Sequence, residues 1–422
     1  MIPQIANRRG KEMRKLLTIF VFLTLTASIT GCETGGSGPK EKEIVMWLVG
    51  SETQAISVNE IGKEFYEKTG IKIRCEAVSW GEAHSKYLTA IAGDVTPDIG
   101  TMGLTWGGEF GSLGAMIDLR EYFKDDVISI RRKIFPGIWH SVVYKGKVYG
   151  IPFDMTEHVL YYRKDMIKIP PKSWGELTAL LGKLNAEGKS MLFDWGSLNW
   201  IGYSVYLWQA GGDYYNENLT ECELDSPEAA RGMEFFADLY NKYKVPRTSI
   251  PVEQGMRTGD FPLAISGNWK IVGLTLGAPE IEEKWSIAML PKGPMGRATG
   301  FIGGRVMGIF AGSRMKKESW DFIKFLFKPE SQKKLYDMAW ENQDAYLPPN
   351  MESWDILPMK SGFKQVLKDQ AFASKGPPPV LAWDVSARFV DQAIQKAVLT
   401  KEDIPGIMAN ATKQVNEELK KR

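Results

Sequence analysis

Tryptophan is the residue type in this chain best suited to holding something. Of the 14 present, several fall where predicted strands end. Trp80, Trp106 and Trp269 stand in Gly- or Ser-containing turns, and Trp383 follows a proline run at the start of a helix. A flat indole can cover the apolar C–H face of a pyranose. If each ring removes about 60 Å² of apolar sugar surface from water, it contributes ~1.5 kcal/mol at ~25 cal/mol/Å². Three rings then supply ~4.5 of the ~8 kcal/mol that micromolar binding requires, and hydrogen bonds to hydroxyls must supply the rest. The polar candidates are Glu52, Asp154, Thr156 and Asn268, joined by Ser51 and Thr105. Trp200 and Trp340 complete the candidate rings, whereas Trp47, Trp174, Trp285 and Trp320 read as core.

Bond-making chemistry is harder to find. The chain holds no GxSxG, P-loop or HExxH motif and no clustered cysteine and histidine set. No metal-ligand spacing appears among His84, His140 and His158, which read as surface or satisfied residues, and no metal or cofactor is expected. Two carboxylates converging across a cleft would make a glycoside-active enzyme, an alternative that spacing does not settle. Gly303-Gly304 lacks the following Lys-Ser/Thr of a phosphate loop and suits a hinge better.

The elements that must position these residues follow an α/β order. Residues 44–49 read as a buried strand, a helix runs to about Lys68 with Gly70 as its stop, and 71–78 alternate as a second strand. An apolar helix over 87–92 and the PDIGTM strand complete strand-helix-strand-helix-strand, which implies parallel pairing. Ligands collect at the carboxyl ends of such strands, so the loops 50–52, 79–80 and 102–106 matter most. The stretch 144–165, YKGKVYGIPFDMTEHVLYYRKD, predicts a short hairpin about Lys145-Gly146 and then a crossing from one sheet into another near Pro152. Beyond it, Ser173 and Glu176 have capping-box spacing, helices are expected over 200–210, 227–243, 320–327 and 331–340, and the chain is helical past the prolines at 377–379.

The N-terminus reads as a targeting segment. Arg8, Arg9, Lys11, Arg14 and Lys15 precede an uncharged apolar run over 16–29, shorter than the ~20 residues a spanning helix needs. Met13 opens a complete leader of its own, MRKLLTIF. The run ends Ile29-Thr30-Gly31-Cys32, similar to a bacterial lipobox, which would leave Cys32 diacylated and the chain on a membrane. Residues 32–43 then form a tether too poor in apolar surface to fold. Losing residues 1–31 turns the formal charge from +2 to −2, which gives no basic footprint for nucleic acid. Cys75 and Cys222 are expected as separate thiols.

The string GKVYGIP followed by LYYRKD resembles a signature of extracellular solute-binding proteins that deliver sugars to ABC importers. WLVGSE, EFYEKTGIKI, AIAGDVTPDI, PKSWGEL, ISGNWKI, FIGGRVMGIF and WDFIKFL fall in that family's order, with Arg163 standing where Asn is usual. The resemblance implies a two-lobed α/β periplasmic-binding-protein fold of type II with the ligand cleft between the lobes. It implies lobes of 44–153 with 305–342 and of 154–304 with 343–422, joined by crossings near 152–156, 303–306 and 341–350. Trp269 and Trp383 match positions where family members stack on sugar. The implied partners are a carbohydrate and permease subunits, with the protein monomeric, lipid-anchored on the outer face of the cell membrane, and without catalysis. A binder of a charged solute such as a peptide or polyamine on the same fold is the alternative.

Overall fold

A computed structural model describes residues 41–193, 199–381, 383–400 and 403–421. The leader, Cys32 and nearly all of the tether lie outside the described residues. Among the described residues ten strands appear: β1 (Lys42–Val49), β2 (Ile71–Val78), β3 (Ile99–Gly103), β4 (Val143–Tyr144), β5 (Lys147–Val148), β6 (Ile151–Arg163), β7 (Met191–Phe193), β8 (Leu263–Gly267), β9 (Trp285–Ala288) and β10 (Ile302–Ile309). Eight of them make one sheet in the order β2-β1-β3-β10-β6-β8-β7, with β9 also on β6.

Local chemistry explains the first half. Ser51 caps the helix Glu52–Thr69 in a full capping box with Gln54, and Gly70, at φ 68°, closes it in the left-handed region. β1 pairs in parallel with β2 and β3, so the loops after all three strands emerge on one edge. The predicted hairpin is the two-stranded β4-β5 unit, its turn made by Lys145 and Gly146 at φ 47° and 77°, as a type I′ connection requires.

The expected exchange of sheets near Pro152 takes a different form. β6 is one unbroken 13-residue strand that changes partners, pairing β10 through residues 151–157 and β8 and β9 through 158–163. Pro152 sits at its second position, where a missing donor is tolerated. Arg163 ends the strand with its guanidinium on Asp165 (Nε to Oδ1 2.8 Å) and on the Met256 carbonyl.

Two cores result. The first packs the sheet against Glu52–Thr69, Lys316–Leu326 and Pro329–Glu341; the second gathers Asn199–Ala210, Pro227–Asn241, Trp383–Leu399 and Ile404–Leu419. β6 serves both through its pleat, because Met155, Val159 and Tyr161 enter the first core while Leu160 enters the second. Among the described residues Cys75 and Cys222 are buried and unbridged. Among the described residues no helix is long and apolar enough to cross a membrane.

Candidate functional site

Strand direction defines a gap. β3 ends at Gly103 beside Arg305 of β10, which pairs Asp154 of β6; β8 ends at Gly267 beside His158 of the same strand. The carboxyl ends of β3 and β8 therefore point toward each other across residues 154–158, roughly 13 Å of strand at ~3.3 Å per residue. β1 and β2 open on the same gap beside β3, and β7, parallel to β8, opens on it from the other side.

The rings at its rim are helix starts rather than turn residues. Trp80 begins the helix Trp80–Ala92 and is 52 % exposed, and Trp106 begins Trp106–Ser112; their ring centroids lie 6.0 Å apart at 67°. Opposite them Trp269, 38 % exposed, opens the helix Trp269–Gly277 with its ring 5.8 Å from that of His158. Glycine at 267 is what admits this ring, since a Cβ there would lie 1.9 Å from it. Thr156 stands on β6 opposite Gly303, between the two sides.

Other candidates have structural employment. Trp383 is only 2 % exposed and Trp200 8 %, because their rings meet edge-on at 4.9 Å and Trp383 also packs on Tyr214 at 4.8 Å. Both indoles belong to the second core, so the ring expected to stack on a ligand at 383 instead supports the wall behind it. Asp154 is buried and its carboxylate is committed to Arg305, accepting from the backbone N at 2.8 Å, from Nε at 3.0 Å and from Nη2. Asn268 is buried too, its Oδ1 accepting from the Glu157 backbone N at 3.0 Å. Ser51 Oγ caps its helix and reaches Asp344 Oδ2 at 3.4 Å, Glu52 is exposed at that helix's first turn, and Thr105 occupies an N-cap position without a capping bond. Trp340 shares a small hollow with Asn268 and Asp344. It stacks on Tyr336 at 6.4 Å and lines a groove of about 480 Å³ with Ile271, Met359 and Phe363. Those walls pack with the first core, which Met155 and Tyr161 face, whereas Trp269 packs on His158 on the opposite face of β6.

Three residues that sequence spacing left aside come together at the rim. His84 Nε2 lies 2.9 Å from Glu109 Oε2 and 3.9 Å from Asp384 Oδ2, and the His84 and Trp106 rings are 5.0 Å apart. Helical phase held the clue, since His84 is four residues after Trp80 and Glu109 three after Trp106, each on its ring's face. Burial raises the Asp384 carboxyl above its ordinary range; His84 and a hydrogen bond from the Trp106 indole oppose that, while Glu109 adds to it. Glu157, fully buried on β6 without a hydrogen-bond partner for either oxygen among the described residues, is pushed well above the usual carboxylate range by burial.

Two α/β halves joined by shared strands, with a ringed gap at their strand ends, define the two-lobed solute-binding fold. A chain of this fold from Xanthomonas citri, the sugar-binding protein MalE, superposes with a TM-score of 0.82 at 23 % identity over 90 % of this chain and 98 % of its own. The sequence model of the bacterial extracellular solute-binding proteins matches residues 60–361, and the chain belongs to that family. Among curated relatives, a binding protein of Brucella abortus is 26 % identical over 86 % of this chain and 89 % of its own length. The maltotriose-binding protein of Pyrococcus abyssi is 24 % identical over 72 % of this chain and 67 % of its own.

Proposed function

We propose that this protein is the substrate-binding lipoprotein of an ABC importer, capturing a neutral sugar or oligosaccharide between its halves and handing it unaltered to permease subunits. The observation that carries this reading is the placing of Trp80 and Trp106 on one side of the gap and Trp269 on the other, all partly exposed at helix starts. Contacts on both faces give a ligand the differential affinity that closure requires. The sugar-binding relatives support the ligand class. We assign the lobes as 44–153 with 305–342 and 154–304 with 343–422, hinged where β6 and β10 cross. Diacylated Cys32 holds the body at the outer membrane surface through residues 33–43, and the protein works as a monomer.

Calorimetric titration with maltose, maltotriose and other neutral oligosaccharides, beside spermidine and short peptides, tests the reading. Saturable binding of a sugar, recovered with unchanged mass, supports it. Binding of a polyamine or peptide with no sugar response, or cleavage of the bound glycoside, rejects it.

A further inference from the structure

The cluster at the rim has the makings of a metal site. A zinc ion sits about 2.0–2.1 Å from nitrogen and carboxylate ligands, which sets donor atoms roughly 3.3 Å apart at tetrahedral angles. The His84 nitrogen stands 2.9 Å from its Glu109 oxygen and 3.9 Å from its Asp384 oxygen, bracketing that spacing, and the three donor atoms lie within 4.8 Å of one another. We propose that His84, Glu109 and Asp384 bind a divalent transition-metal ion, Zn²⁺ by preference, that ties the two sides of the gap together.

The donor set argues for this class of ion. One imidazole with two carboxylates mixes nitrogen with oxygen donors, which suits first-row transition metals, whereas Ca²⁺ and Mg²⁺ take oxygen ligands throughout. Two carboxylates close around one imidazole leave a local charge that a dication neutralises, with Arg388 a neighbouring cation. Trp106 packs against the cluster, its ring 5.0 Å from that of His84, and so supports the imidazole from outside the ligand set. A fourth position is left for water or a ligand oxygen. His84 and Glu109 ride on helices that follow β2 and β3, while Asp384 opens a helix of the second core, so an ion held by all three bridges the halves.

The test needs no sugar and is separate from the question of what the gap carries. Tag-free, chelator-treated protein is titrated with ZnCl₂ by calorimetry, and its radius of gyration is followed by small-angle scattering. The expected result is one saturable Zn²⁺ site, weakened by roughly 10–100-fold or more in His84→Ala and in Asp384→Asn. Zinc should also compact the native chain and fail to compact Asp384→Asn. Circular dichroism checks that both variants fold, and Glu109→Gln supplies a third loss if either does not. No saturable uptake, or uptake unchanged in the folded variants, overturns the proposal. Zinc uptake equal in native protein and Asp384→Asn overturns the bridge.

Discussion

Arg305 and Asp154 meet as a buried fork where β10 and β6 cross, with both side chains under a tenth exposed. The same guanidinium donates through Nη1 to the Val49 carbonyl at 2.6 Å and to Gln54 Oε1 at 2.7 Å. It thus fastens the end of β1 and the first turn of the helix after it to both crossing strands. Removing one partner leaves the other charged and enclosed, so Arg305→Met and Asp154→Asn should each cost about 3–5 kcal/mol in urea unfolding. The double variant Asp154→Leu/Arg305→Met should recover much of that loss. Additive losses would show that the fork does not act as a unit.

Gly304 adjoins this fork at φ 139°, and a Cβ there would come within 2.3 Å of the Asp154 carbonyl oxygen. Gly304→Ala should therefore lose about 1–3 kcal/mol of stability, seen as a lower thermal midpoint. An unchanged midpoint would mean that the crossing relaxes freely.

Glu157 gives stability a pH dependence of known direction. At low pH the folded and unfolded chains both hold its proton; as pH rises the unfolded carboxyl, near its ordinary range, releases first. Stability therefore falls until the folded group ionises, by at most roughly 1.4 kcal/mol per pH unit. Asp391, raised to about 7 by burial, acts with the same sign. Glu157→Gln removes the Glu157 contribution alone, so its advantage over the native chain should grow between about pH 5 and pH 7.5. Parallel urea midpoints for the two proteins across that range would contradict the assignment.

Trp269 and Trp383 should separate cleanly. Trp269→Ala should weaken sugar binding more than about tenfold, a loss of ~1.4 kcal/mol, with little change in unfolding. Trp383→Ala excises a ring packed on Trp200 and Tyr214 and should cost ~3–5 kcal/mol of stability. Calorimetric affinity beside thermal melting checks both, and the reverse pattern would exchange their roles.

The fold was legible where its signals are local. An apolar run placed β1, alternation placed β2, helical spacing placed the helix between them, and glycines marked the turns at 70 and 145–146. Parallel order then located the edge on which ligand loops gather. What stayed hidden depends on distant partners. Asp154 reads as a free strand carboxylate until Arg305 is found 151 residues away. Trp383, read at a helix start after its prolines, looks open to a ligand, and only tertiary packing against Trp200 encloses it. Asp384 has no periodic relation to His84 or Glu109, so their meeting belongs to the closed topology alone.

The indole rings on the two sides of the gap can report directly on what lies between them. Titration with maltotriose and a panel of neutral oligosaccharides, followed by tryptophan emission, should give a saturable blue shift for at least one sugar, diminished in Trp269→Ala. Emission that stays unchanged for every sugar, at concentrations where calorimetry also detects no binding, would contradict the account.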